Sequence, residues 1–170
     1  MERRKRTQTR RIVNLIIVDE SGSMSLIEHQ ALAGLNETLA TVKRMQDHDP
    51  AVSQSVTLLT FNSEHTHHVY DNAPARLTRP VTPHEYQPCG GTPLYDAIGL
   101  GVSKVNAQTS ASDAVLVTII TDGEENCSKE YDLRMVKQLI EKMKKQRWTF
   151  TFIGTDNLDV ARMARDMAID

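Results

Sequence analysis

The sequence has little cysteine, no long apolar run and almost no net charge, and each shortage excludes something. Two cysteines among 170 residues cannot build the set of bridges that holds a small secreted domain together. The chain therefore reads as a protein of a reducing, cytoplasmic compartment. Unbroken apolar runs such as Leu15–Val18 and Ala114–Val117 fall far short of the roughly 20 residues that cross a bilayer. No apolar stretch with a small-residue cleavage site follows the N-terminal charges, so the pattern of a signal peptide is missing. A formal net charge of −2 does not suit a general nucleic-acid binder. What is present, 39% hydrophobic and 25% charged residues, is enough to build the core of one soluble globular domain.

The charge is unevenly spread. Arg3, Arg4, Lys5, Arg6, Arg10 and Arg11 against Glu2 give residues 1–11 a balance of +5, which leaves −7 on the rest. Residues 1–11 read as a mobile basic arm, with a phosphate or nucleic-acid contact as the sharper alternative. Residues 12–170 are the expected folded domain.

The hydrophobic pattern alternates between two periods. Ile12–Val18 is almost continuously apolar and β-branched, which predicts a strand buried on both faces of a parallel sheet. Ile27, Ala31, Leu32, Leu35, Leu39 and Val42 follow helical steps of three and four, and Asp49-Pro50 ends that helix. Ser55–Phe61 is a second strand. Asn62-Ser63 is a turn so short that His65–Tyr70 can only pair with it antiparallel. Residues 72–91 carry four prolines and two glycines and read as a long irregular loop, of the kind that carries function. Thr92 and Pro93 suit the N-cap and first position of the next helix, which buries Leu94, Ala97, Ile98, Val102 and Val105. Ala114–Ile120 is a strand, Leu133–Met143 a helix, Trp148–Ile153 a strand and Leu158–Ala168 a last helix. This order predicts a Rossmann-like three-layer α/β/α fold with a mainly parallel sheet and one antiparallel edge strand.

Ligands of such sheets bind beyond the carboxyl ends of the strands, and three loops there share one chemistry. They are Asp19-Glu-Ser-Gly-Ser-Met24, Gly90-Gly-Thr-Pro93 and Thr121-Asp-Gly-Glu-Glu-Asn126. All three offer oxygen donors beside glycine. Carboxylates and hydroxyls are hard ligands that suit Mg²⁺ or Mn²⁺ better than zinc or copper, and Ca²⁺ fits less well. In Asp19-x-Ser21-x-Ser23 an extended backbone sends alternate side chains the same way. Gly22 is expected to let the chain bend, and Ser25 to cap the following helix.

These residues resemble the von Willebrand factor type A domains, above all their bacterial intracellular branch. The metal-ion-dependent adhesion site of that family runs Asp-x-Ser-x-Ser, then a distant Thr, then a distant Asp, matched here by Asp19, Ser21, Ser23, Thr92 and Asp122. The resemblance implies that the serine hydroxyls and, in one conformation, the threonine hydroxyl coordinate the ion. The aspartates then act through water or hydrogen bonds to the serines, and one position stays open for a partner protein's carboxylate. Glu20, Glu124 and Glu125 would form an acidic rim that shapes partner choice. The family commonly adds another strand and helix after the last helix found here. The expected function is metal-dependent protein–protein interaction without catalysis or membrane contact.

Other residues admit two readings. Cys89 and Cys127 are reduced loop thiols, or a redox gate if their Cα atoms lie within about 7 Å. His65, His67 and His68 are a solvated strand or metal ligands. Asp96 complements the dipole of its helix or supports the ion site. An Mg²⁺-dependent phosphohydrolase would also place aspartates at Asp19 and Asp122, but its general acid belongs two residues after the first, where this chain has Ser21. No P-loop sequence occurs.

Overall fold

The computed structural model describes residues 11–122, 124–154 and 158–169, so residues 1–10 of the expected arm lie outside the described residues. Arg11, assigned to that arm by sequence, is instead the first residue of β1 (Arg11–Asp19). The chain continues through α1 (Glu28–His48), β2 (Ser53–Phe61), β3 (Thr66–Pro74), α2 (Leu94–Gln108), β4 (Ala114–Ile120), α3 (Leu133–Lys144), β5 (Trp148–Ile153) and α4 (Leu158–Asp166). The strands form one sheet in the order β3-β2-β1-β4-β5. The pairs β1–β2, β1–β4 and β4–β5 are parallel and β2–β3 is antiparallel, the α/β architecture that the alternating periods imply.

β1 lies at the centre, and its sequence explains why. Val13 through Asp19 are all buried, because strands flank β1 and helices cover both of its faces. Alternation divides its side chains between two cores. Val13, Leu15 and Ile17 pack with Leu94, Ile98 and Val102 of α2 and with Val136 and Ile140 of α3. Ile16 and Val18 pack with Ala31, Leu35 and Leu39 of α1. Each such aliphatic side chain contributes about 1.5–3 kcal/mol on burial. Asn14, the one polar residue between Val13 and Val18, donates to Gln54 Oε1 at 2.9 Å and to the Ser55 carbonyl at 3.1 Å, so its amide is not stranded.

Some boundaries differ from the sequence expectation. A 3₁₀ segment, Gly22–Ile27, precedes α1, and Ser25 caps nothing; its hydroxyl turns back to the Gly22 carbonyl at 2.8 Å. β3 continues to Pro74, and the loop after it contains 3₁₀ turns at Ala75–Leu77 and Pro83–Glu85. The second turn closes with a Thr82/Glu85 capping box and an Arg79–Glu85 pair at 2.7 Å. No helix among the described residues is long and apolar enough to cross a membrane.

The chain leaves β1 through α1, on one face, to reach β2 on one side. It reaches β4, on the other side of β1, through α2 on the opposite face. The carboxyl ends of β1 and β4 therefore border a topological switch point, where open α/β sheets leave a crevice for ligands. Asp19 ends β1, and Asp122 lies just beyond the end of β4.

Candidate metal centre

Asp19 is fully buried and held from two sides. Its Oδ1 accepts the Ser21 N–H at 2.8 Å and its Oδ2 accepts the Thr121 hydroxyl at 2.6 Å. Its carbonyl accepts the hydroxyl of Tyr86 at 2.6 Å. Ser21 stays extended, and Ser23 then falls in the first turn of the 3₁₀ segment. This brings the two serine Oγ atoms to 3.2 Å. The Ser23 hydroxyl in turn donates to Asp122 Oδ1 at 3.3 Å, so the first and third loops meet through side chains.

The second loop joins them through its backbone. Gly22 N–H donates to the Gly90 carbonyl at 2.9 Å and Cys89 N–H to the Glu20 carbonyl at 2.9 Å. Gly22 is not needed for a special backbone angle, and a Cβ there would meet the Gly90 carbonyl at an ordinary contact distance of 3.4 Å. Gly90 is the residue with a left-handed backbone, at φ 73°, and a Cβ there would lie 2.6 Å from Ser63 Oγ. Only glycine meets both demands.

Thr92 is buried, but it is not the N-cap of α2. That position is held by Pro93, without a side-chain cap. Instead Asn126 grips Thr92 by both backbone groups: Thr92 N–H donates to Asn126 Oδ1 at 2.8 Å, and Asn126 N–H donates to the Thr92 carbonyl at 3.0 Å. The free N–H groups of α2 are served from the same distant loop. Tyr95 N–H donates to Glu125 Oε2 and Asp96 N–H to Ser128 Oγ, both at 3.0 Å.

This bracing corrects the acidic rim. Glu20 is 5% exposed; its Oε1 accepts the Gln87 N–H at 2.8 Å and its Oε2 lies 3.6 Å from His65 Nε2. Glu125 also turns inward, accepting from Tyr95 N–H, Ser128 N–H and Ser128 Oγ. Both carboxylates satisfy backbone donors that would otherwise be buried without partners. Of the three expected rim residues, Glu124 alone is exposed.

Burial pushes the Asp19 carboxyl above the ordinary carboxylate range. The bonds from Thr121 and Ser21 oppose that shift, and the nearby Asp122 charge adds to it. Among the described residues no lysine or arginine pairs with Asp19. A buried acid with no cation, facing two hydroxyls, fits a small hard cation. The 3.2 Å between the serine oxygens is close to the roughly 3 Å that separates neighbouring ligands around an octahedral ion with bonds of about 2.1 Å. Among the described residues no group of three or more His, Cys, Asp or Glu gathers for a metal; the site is built from hydroxyls backed by carboxylates.

The von Willebrand factor type A domain model matches residues 15–170. The chain belongs to this family. Solved structures agree on the fold. The VWA domain of SpRpn10 aligns with a TM-score of 0.62 at 12% identity, covering 93% of this chain and 82% of that one. A mutant of the PilB minor pilin from Streptococcus sanguinis aligns at 0.61 and 13% identity, over 96% of this chain and 55% of that one. Proximal thread matrix protein 1 from the mussel byssus aligns at 0.51 and 15% identity, over 85% and 35%. This VWA domain thus spans about half or less of the last two chains. No curated protein sequence matches it.

Several residues around the site of this VWA domain were silent in the sequence. Tyr86 bonds to a carbonyl 67 positions away. Asn62 donates to the Glu20 carbonyl at 3.4 Å and to Cys89 Sγ at 3.3 Å, and accepts from Glu64 and His65 N–H. Asp96 stands in the first turn of α2, where an acid complements the helix dipole, and it also braces a distant loop. Its carboxylate accepts the N–H groups of Lys129, Glu130 and Tyr131 at 2.8–2.9 Å, tying α2 to the β4–α3 loop. Cys89 and Cys127 are free thiols. His65 stands before β3, and His67 and His68 are exposed on it.

Proposed function

We propose that this VWA domain is a cytoplasmic protein-interaction module of the bacterial intracellular kind, which grips a partner's carboxylate through a metal-ion-dependent adhesion site. Members of the family often mediate protein–protein contacts. The observation that carries the reading is the pair of serine hydroxyls at 3.2 Å, backed by the buried Asp19, which pairs with no cation among the described residues.

The residues that would hold Mg²⁺ or Mn²⁺ are Ser21, Ser23 and Thr92, with Asp19 and Asp122 behind them. A bound divalent ion supplies concentrated positive charge and a vacant position for an incoming anion. Asp19 fixes the Ser21 backbone, Thr121 holds the second oxygen of Asp19, and Asp122 aims the Ser23 hydroxyl, a supporting shell that orients the donors. Asn126 sets the height of Thr92 through its backbone. Glu124, exposed beside the site, disfavours broadly acidic surfaces, so the entering carboxylate is expected to be isolated or flanked by basic residues. Among the described residues the serine hydroxyls contact each other, Asp19 and Asp122 and no histidine, so no Ser–His pair supports a nucleophilic reading.

Calorimetric titration of Mg²⁺ and Mn²⁺ into wild type and Asp19→Ala tests the ion site. Wild type should bind weakly, since the protein fills only part of the shell, and the variant should give no metal heat. Equal heats would refute the assignment. Affinity capture in Mg²⁺ against chelator then tests the interaction, and a partner retained equally in both would refute metal dependence.

A further inference from the structure

The sheet has a second cleft at its other end, where β1 and β2 begin and β3 finishes. It has a volume of about 340 Å³, and Arg11, Ser53, Gln54, Ser55, Asn72 and Arg76 line it; among the described residues no acidic side chain does. Arg11 is held in place: Nη2 donates to Asn72 Oδ1 at 2.7 Å, Nη1 to the Gln108 carbonyl at 3.3 Å, and Asp113 lies 3.6 Å away. Arg76 has no hydrogen bond or ion pair with any described residue. The nearby Asp71 is already paired, with Lys104 at 3.1 Å, so the cleft keeps uncompensated positive charge.

Two further observations single the place out. The Ser55 hydroxyl is buried without a hydrogen-bond partner in a residue only 7% exposed. Native interiors rarely tolerate such a group without a reason. Asn72, which orients Arg11, has a left-handed backbone at φ 49°, and the β2–β3 register shifts twice, between Val56 and Leu59. Its N–H turns to Thr57 Oγ1 at 3.0 Å. Irregular strand geometry of this kind re-aims side chains and gathers at binding sites.

We propose that Arg11, Arg76 and the unpartnered Ser55 hydroxyl make this cleft a binding site for a phosphate group, free or carried by a small phosphomonoester. Guanidinium forks match the oxygens of phosphate, which can accept from both arginines and a hydroxyl at once. The cleft lies in the size range of small-ligand sites and exceeds what phosphate alone needs, leaving room for an attached sugar. It stands at the opposite end of the strands from the ion site and does not depend on that site.

The test is calorimetry on the full chain in excess chelator, which keeps phosphate from binding through a metal. The probes are inorganic phosphate, ribose 5-phosphate and ribose. Both phosphates, or either alone, should bind, and ribose should not; which phosphate binds tells a free anion from an ester. Arg76→Gln should weaken binding about tenfold, the loss of one charge-assisted contact, and Ser55→Ala severalfold. Both variants should melt like wild type, since Ser55→Ala removes an unsatisfied group and Arg76 is exposed. Absence of binding at millimolar phosphate would overturn the proposal. So would binding that survives the Arg76→Gln/Ser55→Ala double variant but vanishes when Arg3, Arg4, Lys5, Arg6 and Arg10 become glutamine, because the arm and not the cleft would then be the receptor.

Discussion

β1 begins in a cation and ends in an anion, and the two ends of the sheet follow suit. At the carboxyl end Asp19, Asp96, Asp122 and Glu125 accept hydrogen bonds from backbone or hydroxyl donors. At the amino end Arg11 serves the last carbonyl of α2 and Arg76 has no described partner. Helix direction explains much of this sorting. Helices that return antiparallel to parallel strands put their N-termini, with free N–H groups and positive dipole, at the strands' carboxyl ends. Glu125 and Asp132 occupy those helix starts, while His48 and Lys144 stand in the last turns of α1 and α3. What the dipoles do not explain is more informative. Asp19 lies on no α-helix start and Arg76 on no long helix end, and these are the two charges that the proposed ion site and the proposed phosphate cleft would use.

The largest effect should come from the carboxyl end. In wild type, millimolar Mg²⁺ should raise the melting temperature by mass action. Asp19→Ala should abolish that rise. If the variant gains the same increment as wild type in thermal denaturation, the two ends are not the distinct sites described, and the acidic end is only a loop brace.

Thr92→Ala sharpens the same comparison. The sequence suggested that it would also remove a helix cap. The structure shows that the hydroxyl caps nothing and that Asn126 bonds only to the Thr92 backbone. The variant should lose only about 1 kcal/mol of stability, from the one buried methyl it deletes, yet lose its Mg²⁺-dependent partner in a pulldown. Normal capture by this variant would separate Thr92 from the ion.

The contrast between what the sequence revealed and what it hid follows from range. β1, β4 and the helices were legible because hydrophobic periodicity is local and continuous burial leaves its mark on every residue. Asp19, Ser21, Ser23, Thr92 and Asp122 could be picked out as a candidate site because they form an ordered motif, and the structure brings their three loops together. The roles of Thr92, Glu20 and Glu125 were misread because each is set by long-range bonds. Thr-Pro is a good local cap signal, but Asn126 overrode it; an acid in a loop looks solvated until a distant N–H turns it inward. The amino-end cleft was invisible for a stronger reason. Arg11, Ser55, Asn72 and Arg76 come from three segments with no shared spacing, and only the strand order brings them together.

Tyr86→Phe asks how firmly the carboxyl end is built. The phenol is fully buried and donates to the Asp19 carbonyl at 2.6 Å; burial and the surrounding carboxylates push its ionisation far above the ordinary tyrosine range, so it remains a donor at any physiological pH. Removing the hydroxyl leaves that carbonyl one donor short and should cost about 1–2 kcal/mol in denaturant unfolding. Mg²⁺ affinity should fall only slightly, because the carboxylate of Asp19 keeps its own donors. A large loss of metal binding at unchanged stability would mean that Tyr86 positions the ion site more than it supports the fold.

The smallest effect should come from the loop between β3 and α2, which links the two ends. Arg79 and the Thr82 N–H and hydroxyl hold the Glu85 carboxyl down to about 2, below its ordinary 4.5. Between those values the unfolded chain binds more protons than the folded one, so stability rises with pH in that window. The contribution is complete above the unfolded value and is lost as pH falls towards 2. Glu85 is partly exposed and Arg79 mostly so, which screens the pair and keeps the slope shallow. Glu85→Gln should flatten that slope between pH 4.5 and 2 and leave stability near neutrality only slightly lower. If the variant instead loses Mg²⁺ binding, this loop transmits strain to Tyr86 and Asp19, and the two ends of the sheet are mechanically coupled through it.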